Sequence, residues 1–476
     1  MHPVKVRYLL LGLPLLIYLA MPSRNFYWDG VAFAINIEKQ LPYADLFHPS
    51  HLIYAVSGRW LYRALSFLGI HTRALYALQA ANSILAAASV VLVHKILRLR
   101  DFSAHASIVG ALLFAFSATW WKFATDADAY IPSIFLLLYA YCIIETWGNA
   151  AAAGLAIAVA MLFHELAIFF LPVAIFRLKG PRNRLVCAAC AIIPAAIVYG
   201  LAYRAIAGAF RVHDFLVWIT SHSTDSGFSF QPVHDLLLTI RGTLRLFLGG
   251  RITDSVPGLV SAIAVAAMGA VLVALAVQLW RVPTWKLAQP STDLLLWLGI
   301  YVAFLFFWMP QNTFYRLFYL APLVVVLCSA VRAMSIDRAI PRLGLSFLIL
   351  WNFVSLVYPQ SRSESNPPLR FALEQNPRWP AGTPIVFHQF HPDLWTISYF
   401  NQQAAWIGLD HVDLAQLDQD LAYAHRQNQP LWMEATAWDL LTADPAGREW
   451  LVSHAVPQGT LVYKDSGREF RFYQLR

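Results

Sequence analysis

Along this chain the ends of the apolar stretches repeatedly carry ionisable residues, and in a membrane protein such groups cost free energy unless they line a wet cavity or have partners. The first is Asp29, in Asn25-Phe26-Tyr27-Trp28-Asp29-Gly30. Aromatic residues settle at headgroup depth and the glycine lets the backbone turn, so a carboxylate there can stay ionised. It suits a general base or a ligand; the plainer alternative is a cap on a helix over Val31 to Lys39. The same loop continues through Phe47-His48-Pro49-Ser50-His51-Leu52-Ile53-Tyr54. His48 and His51 can bind a phosphate, shuttle a proton or ligate a metal, although H-x-x-H lacks a third ligand; alternatively Ser50 caps the next helix and His51 bonds locally.

Lys122, after Trp120-Trp121, precedes Thr125-Asp126-Ala127-Asp128-Ala129-Tyr130, so one cation and two carboxylates crowd a single turn. An aromatic belt with one helix cap and a snorkelling lysine accounts for one aspartate and leaves the other over. His164-Glu165 interrupts the 27-residue apolar stretch from Ala150 to Phe176, which forms either two short helices meeting at the outer side or one long helix with an ionisable pair inside. Arg316, in Pro310-Gln311-Asn312-Thr313-Phe314-Tyr315-Arg316, falls in the first turn of a helix that Thr313 would cap. A guanidinium beside the unpaired N–H groups of a helix start is suited to a phosphate; snorkelling is the alternative.

The elements that must position these residues are membrane spans. Of 476 residues 58% are hydrophobic and 13% charged, which excludes a soluble multidomain protein, a disordered chain and a disulfide scaffold. Eleven segments of suitable length and hydrophobicity run over 7 to 21, 73 to 97, 104 to 121, 129 to 147, 150 to 163, 165 to 178, 184 to 207, 255 to 280, 292 to 309, 313 to 334 and 341 to 358. The first is read as an uncleaved span, because no small-x-small cleavage site follows it. Residues 50 to 71 carry Arg59 and Arg63 one turn apart, at about 2.5 to 3.5 kcal/mol each in mid-bilayer, so they make an interfacial helix instead. Short basic loops then fall on one side: Lys95 with Arg98 and Arg100, Arg177 with Lys179, Arg182 and Arg184, Arg281 with Lys286, and Arg332 with Arg338 and Arg342. By the positive-inside pattern that side and the N-terminus are cytoplasmic. Loops 22 to 72 and 208 to 254, and everything after residue 359, lie outside.

Charge divides the chain the same way. Residues 1 to 359 carry +12 and residues 360 to 476 carry −4, so the basic body faces a membrane surface and no nucleic-acid partner is expected. The tail holds short apolar runs at 384 to 387, 404 to 407, 431 to 433 and 461 to 463, separated by helical spacing over 414 to 426 and 437 to 441. That predicts a small extracytoplasmic α/β domain after a transmembrane domain of residues 1 to 359. Cys187 and Cys190 form C-x-x-C with no second pair, and packing explains them.

An acid just past the first span, surface helices in the first outer loop, short alternating spans, a large late outer loop and an outer C-terminal domain together resemble the C-type-fold (GT-C) glycosyltransferases. These include the protein O-mannosyltransferases and the aminoarabinose transferases of lipid A. The layout matches over residues 1 to 360, carried by Trp28-Asp29-Gly30, the His48 to Tyr54 run, Asp126 to Tyr130, and Leu155 to Leu171 with His164. The resemblance implies an all-α polytopic fold with about eleven membrane helices. It implies a hexosyl or mannosyl-type sugar on a polyprenyl phosphate, transferred with inversion to a hydroxyl of a protein, lipid or glycan at the outer face of the cytoplasmic membrane. Asp29 falls on the family's first-loop acidic position and would accept the hydroxyl proton; relatives often have two adjacent acids there, and here Gly30 follows. From chemistry alone, Arg316, Lys122, Arg59 and Arg63 would stabilise the leaving phosphate, with His48, His51, Asp126, Asp128, Tyr130, His164 and Glu165 supporting. No cofactor is required, although Asp126, Asp128, His164 and Glu165 are the right atoms for a divalent metal. The rival classes are a transporter or flippase of a lipid-linked or anionic substrate, which calls for internal symmetry not seen in the sequence, and a ligase or acyltransferase with His164 or His51 as base.

Overall fold

A computed structural model describes residues 3–226, 228, 230–251, 256–280, 291–333, 336–375, 379–465 and 467–476. Each of the eleven apolar stretches carries a helix, because only a helix satisfies its own backbone in hydrocarbon. The helices are α1 (Pro3–Ala20), α2 (Trp28–Glu38), α3 (Tyr54–Phe67), α4 (Ala74–Leu99), α5 (Ala104–Ala115), α6 (Ala118–Ala124), α7 (Tyr130–Trp147) and α8 (Ala150–Phe163). Then follow α9 (Leu171–Arg177), α10 (Pro181–Ala207), α11 (Val212–Ser226), α12 (Pro232–Phe247), α13 (Gly258–Trp280), α14 (Thr292–Phe307), α15 (Leu320–Ala333), α16 (Ala339–Asn352) and α17 (Tyr358–Gln360). Short 3-10 turns lie at Tyr43–Leu46, Pro49–His51, Glu165–Phe170 and Phe314–Tyr319.

Among the described residues six helical runs are long and apolar enough to cross a bilayer, and α5 with α6 makes a seventh if that bent pair is one span; α8 and α14 are apolar but shorter. The stretch 104 to 121 is therefore not one straight helix. It breaks at Phe116-Ser117, where α5 and α6 meet at 65°. The side-chain amide of Asn352 donates to the Phe116 carbonyl at 2.9 Å, which satisfies a group freed by the break. The stretch 150 to 178 is two helices: His164, extended at φ −156° and ψ 124°, separates α8 from a 3-10 turn and α9. Arg59 and Arg63 lie on α3, a 14-residue helix that is not among the spans.

Two close contacts hold the bundle. A Cβ on Gly154 would stand 2.5 Å from the Cys187 carbonyl and 2.8 Å from the Cys190 Cβ, so it is this glycine that lets α10, with the two free thiols of the C-x-x-C pair, approach α8. At the basic ends, Arg100 pairs with Asp293 at 2.6 Å and Glu145 at 3.4 Å, Arg177 pairs with the same Glu145, and the Tyr141 hydroxyl donates to Asp293 at 2.5 Å. That network ties the ends of α4, α7, α9 and α14, a use for loop charges beyond orientation. The Arg281 and Lys286 connection lies outside the described residues.

The chain divides into two units, one of residues 1–23 and 33–359, the other of residues 24–32 and 360–476. In the second, α18 (Pro367–Gln375) precedes β1 (Pro384–His388), α19 (Pro392–Phe400), β2 (Ala405–Leu409), α20 (Leu414–Arg426), β3 (Leu431–Glu434), α21 (Ala435–Ala443), α22 (Pro445–His454), β4 (Ala455–Asp465) and β5 (Arg468–Leu475). The sheet order is β2-β1-β3-β5-β4, with β1 parallel to β2 and β3, and β5 antiparallel to β3 and β4. Val386, Leu409, Leu431 and Met433 pack under Leu417, Leu421, Leu441 and Trp450; Ile385, Phe387 and Phe472 pack under Phe371, Leu394 and Ile397. Helices thus cover both faces, as a parallel core requires. The alternating apolar runs make β1 to β4; β5 was not anticipated, because Arg468, Glu469, Arg471 and Gln474 break its apolar pattern.

Candidate functional site

The turn between α6 and α7 is built by α4. Asn82 donates to the carbonyls of Asp126 at 2.9 Å and Asp128 at 2.8 Å, Ser83 donates to that of Ala124 at 2.9 Å, and Gln79 donates to those of Ser23 and Thr125. Three polar residues on a span are tolerated because each meets a backbone group. Asp126 and Asp128 are completely buried. Lys122 donates to Asp126 at 2.5 Å and to Ser23 Oγ at 2.9 Å, while Asp128 accepts from the N–H of Tyr130 at 3.3 Å. The paired acids therefore hold a cation and start a helix. Burial first, then the carboxylates of Asp128 and Asp126, keeps the Tyr54 phenol well above its ordinary range.

A second cluster joins His48, His51, Tyr130 and His164. The His51 ring lies 4.8 Å from His164 and 5.7 Å from His48, and Tyr130 lies 4.9 Å from His164. Ser50 is not a helix cap: its hydroxyl donates to Glu165 at 3.0 Å, a contact across 115 residues. His164 Nδ1 accepts from the Leu166 N–H at 3.2 Å, so in the neutral ring the proton sits on Nε2. That Nε2 is buried with no hydrogen-bond partner among the described residues.

The turn Phe314–Tyr319 adds Arg316. Thr313 precedes it but makes no side-chain cap; Asn312 Oδ1 accepts from the Tyr315 N–H instead, at 3.2 Å. Phe314 and Tyr315 lie 5.5 and 5.8 Å from Tyr130, and Phe318 lies 5.1 Å from His164, so the same turn that holds Arg316 closes the histidine cluster. Arg316 is 0% exposed. Nη1 donates to the Tyr319 hydroxyl at 2.9 Å and Nη2 to the Pro310 carbonyl at 2.6 Å, Nε is unpartnered, and no carboxylate pairs with it among the described residues. Gly242 of α12 makes the room: a Cβ there would stand 2.3 Å from Arg316 Nε. Thr243, beside it, hydrogen-bonds the Tyr319 hydroxyl at 2.9 Å. Neither residue stood out in the sequence, since a glycine inside an amphipathic helix reads only as a weak point.

Other expected residues lie elsewhere. Arg59 is buried and donates to the carbonyls of Leu41 at 2.5 Å and Asn36 at 3.0 Å, tying down the C-terminal end of α2. Arg63 is exposed and reaches the Tyr43 hydroxyl at 3.3 Å. Asp29 is the second residue of α2, inside the helix and not its cap, and belongs to the second unit. Burial pushes its carboxyl up to about 7. Among the described residues no three of His, Cys, Asp and Glu come together as a metal site. Asp126 accepts from Lys122, Glu165 from Ser50 and His164 Nδ1 from a backbone N–H.

The chain has a GT-C-type fold, a polytopic helical body with a small C-terminal sheet domain. Among solved structures, ArnT from Cupriavidus metallidurans bound to undecaprenyl phosphate aligns over 99% of this chain and 97% of its own, at TM-score 0.57 and 10% identity. The same protein in its apo state aligns at TM-score 0.44 and 11% identity over 98% and 97% of the two chains. The oligosaccharyltransferase AglB of Archaeoglobus fulgidus, in complex with an inhibitory peptide and a dolichol-phosphate, aligns at 0.41 and 13% over 97% and 74%. No family model matches the chain, and no curated protein matches it.

Proposed function

We propose that this protein is an inverting glycosyltransferase that moves a hexose of mannosyl type from a polyprenyl phosphate to an acceptor hydroxyl. It works at the outer face of the cytoplasmic membrane, with the N-terminus cytoplasmic and residues 360 to 476 outside. The observation that carries the reading is Arg316. A guanidinium buried with only a carbonyl and a phenol for partners among the described residues has no counter-charge there, and an anionic headgroup is what would neutralise it. Lys122 and Arg59 are already committed to Asp126 and to backbone carbonyls, and Arg63 is exposed. The fold shared with a chain that holds undecaprenyl phosphate supports a lipid of that class.

In this reading Asp29 takes the proton of the acceptor hydroxyl as its oxygen attacks the anomeric carbon from the face opposite the phosphate. The bond from that carbon to the phosphate oxygen breaks, its electron pair stays on the oxygen, and Arg316 stabilises the charge that grows there. The hydroxyl belongs to a protein, lipid or glycan.

The test uses the full chain in detergent micelles, titrated with undecaprenyl phosphate and assayed for sugar release from a polyprenyl-phosphate hexose. Arg316→Gln is expected to weaken lipid phosphate binding on the order of a hundredfold. Unchanged affinity would remove the role of Arg316, and absence of sugar transfer by the wild type would remove the class. Gly242→Ala is expected to weaken the same binding about tenfold, because the new methyl displaces the guanidinium from Tyr319 and Pro310. Combined with Arg316→Ala, which leaves no side-chain atom to collide with, Gly242→Ala should add little; full additivity in that double-mutant cycle would show that the glycine acts elsewhere.

A further inference from the structure

The segment that carries Asp29 is held by the C-terminal domain. Arg24 and Asn25 donate their N–H groups to the Gln360 carbonyl at 2.6 and 3.2 Å. Asn366 is buried and works in two directions: Nδ2 donates to the Arg24 carbonyl at 2.8 Å while Oδ1 accepts from the Leu369 N–H at 3.1 Å, at the start of α18. Phe26 stacks on Phe400 at 5.4 Å, and Trp28 meets Trp395 at 5.9 Å. Trp395 is itself pinned, because its Nε1 donates at 2.5 Å to the carbonyl of Gln389, just after β1. A continuous path therefore leads from the sheet through Gln389 and Trp395 to Trp28, the residue before Asp29. Since α2 begins at Trp28, fixing that ring fixes the first helical turn and the carboxylate on it.

We propose that the C-terminal domain positions the base, with Asn366, Trp395 and Phe400 as positioning residues for Asp29. The inference rests on the reading of Asp29 as the proton acceptor and gives the domain a task other than choosing the acceptor. A base must sit within hydrogen-bond reach of the oxygen it deprotonates, and a misplacement of about 1 Å can cost on the order of a hundredfold. The two hydrogen bonds to the Gln360 carbonyl, the one from Asn366 to Arg24 and the two ring contacts restrain residues 24 to 28 from three sides: the end of α17, the start of α18, and α19.

The experiment compares Asn366→Ala, Trp395→Ala and Trp395→Phe in the full chain, with polyprenyl-phosphate hexose as donor. Both alanine variants are expected to lower kcat by about tenfold to a hundredfold with the donor KM unchanged, and Trp395→Phe to recover most of the rate. Hydrogen exchange over residues 24 to 32 should rise in the alanine variants and return towards wild type in Trp395→Phe. The deciding measurement is a cycle with Asp29→Asn: once the carboxylate is gone, Trp395→Ala should have no further effect on kcat. Equal losses in both backgrounds, a loss confined to KM, or unchanged kcat would overturn the proposal. Full transfer by Asp29→Asn alone would instead remove the base, and the inference with it.

Discussion

Asp29→Asn is expected to lower sugar transfer by about 10² to 10⁴ while undecaprenyl phosphate binds as before. The amide keeps the size and hydrogen-bonding shape of the acid but cannot take a proton, so the change reaches the step in which the acceptor oxygen is deprotonated and spares the grip on the phosphate. The pH profile separates this role from a structural one. Burial pushes the Asp29 carboxyl up to about 7, and a base acts in its deprotonated form. Activity is therefore lost as pH falls through about 7, with kcat/KM dropping about tenfold per pH unit below it and level above it. The residual rate of Asp29→Asn should lack that acid limb. A limb that survives in the variant would assign it to another group, and an undiminished rate would remove the mechanism.

Asp126→Ala is expected to be the most damaging substitution for stability, at about 3 to 5 kcal/mol, because it strands the Lys122 charge inside the protein. The Lys122 side chain is 16% exposed and its partner 0%, so water can replace little of the lost interaction. Substituting both, as Lys122→Met with Asp126→Leu, should restore most of the loss, since neither charge then needs compensation. Thermal unfolding of the purified variants in detergent checks both. If the double variant is no more stable than the single, the turn itself, and not the buried pair, sets the cost. Because this turn leads into Tyr130, the single variant should also disturb the histidine cluster.

The membrane helices were legible because hydrocarbon leaves the backbone one way to satisfy itself over each apolar run. Where a run breaks was not, as the bend at Phe116-Ser117 depends on Asn352, more than 200 residues away. Local rules also misassigned small polar residues. Ser50, Thr313 and Asp29 look like helix caps by type and position, yet Ser50 is drawn to Glu165, Asn312 accepts in place of Thr313, and Asp29 lies inside its helix. In the tail, alternation disclosed the parallel strands and their helices, whereas β5 emerged only through its pairing with β3 and β4.

Residue types and spacing by themselves determined that this is a basic, polytopic membrane chain with an acidic α/β tail, and that ionisable groups gather where its spans end. Those properties follow from how each segment partitions between water and hydrocarbon, which is local. Tertiary structure alone decided that Lys122 is neutralised by Asp126, that Arg316 has no acid to neutralise it among the described residues, that Gly242 is the clearance beside it, and that the Asp29 segment is held by Asn366 and Trp395. What a charge does once it is out of water depends on which partner lies within a few ångströms, and that partner comes from a distant part of the chain.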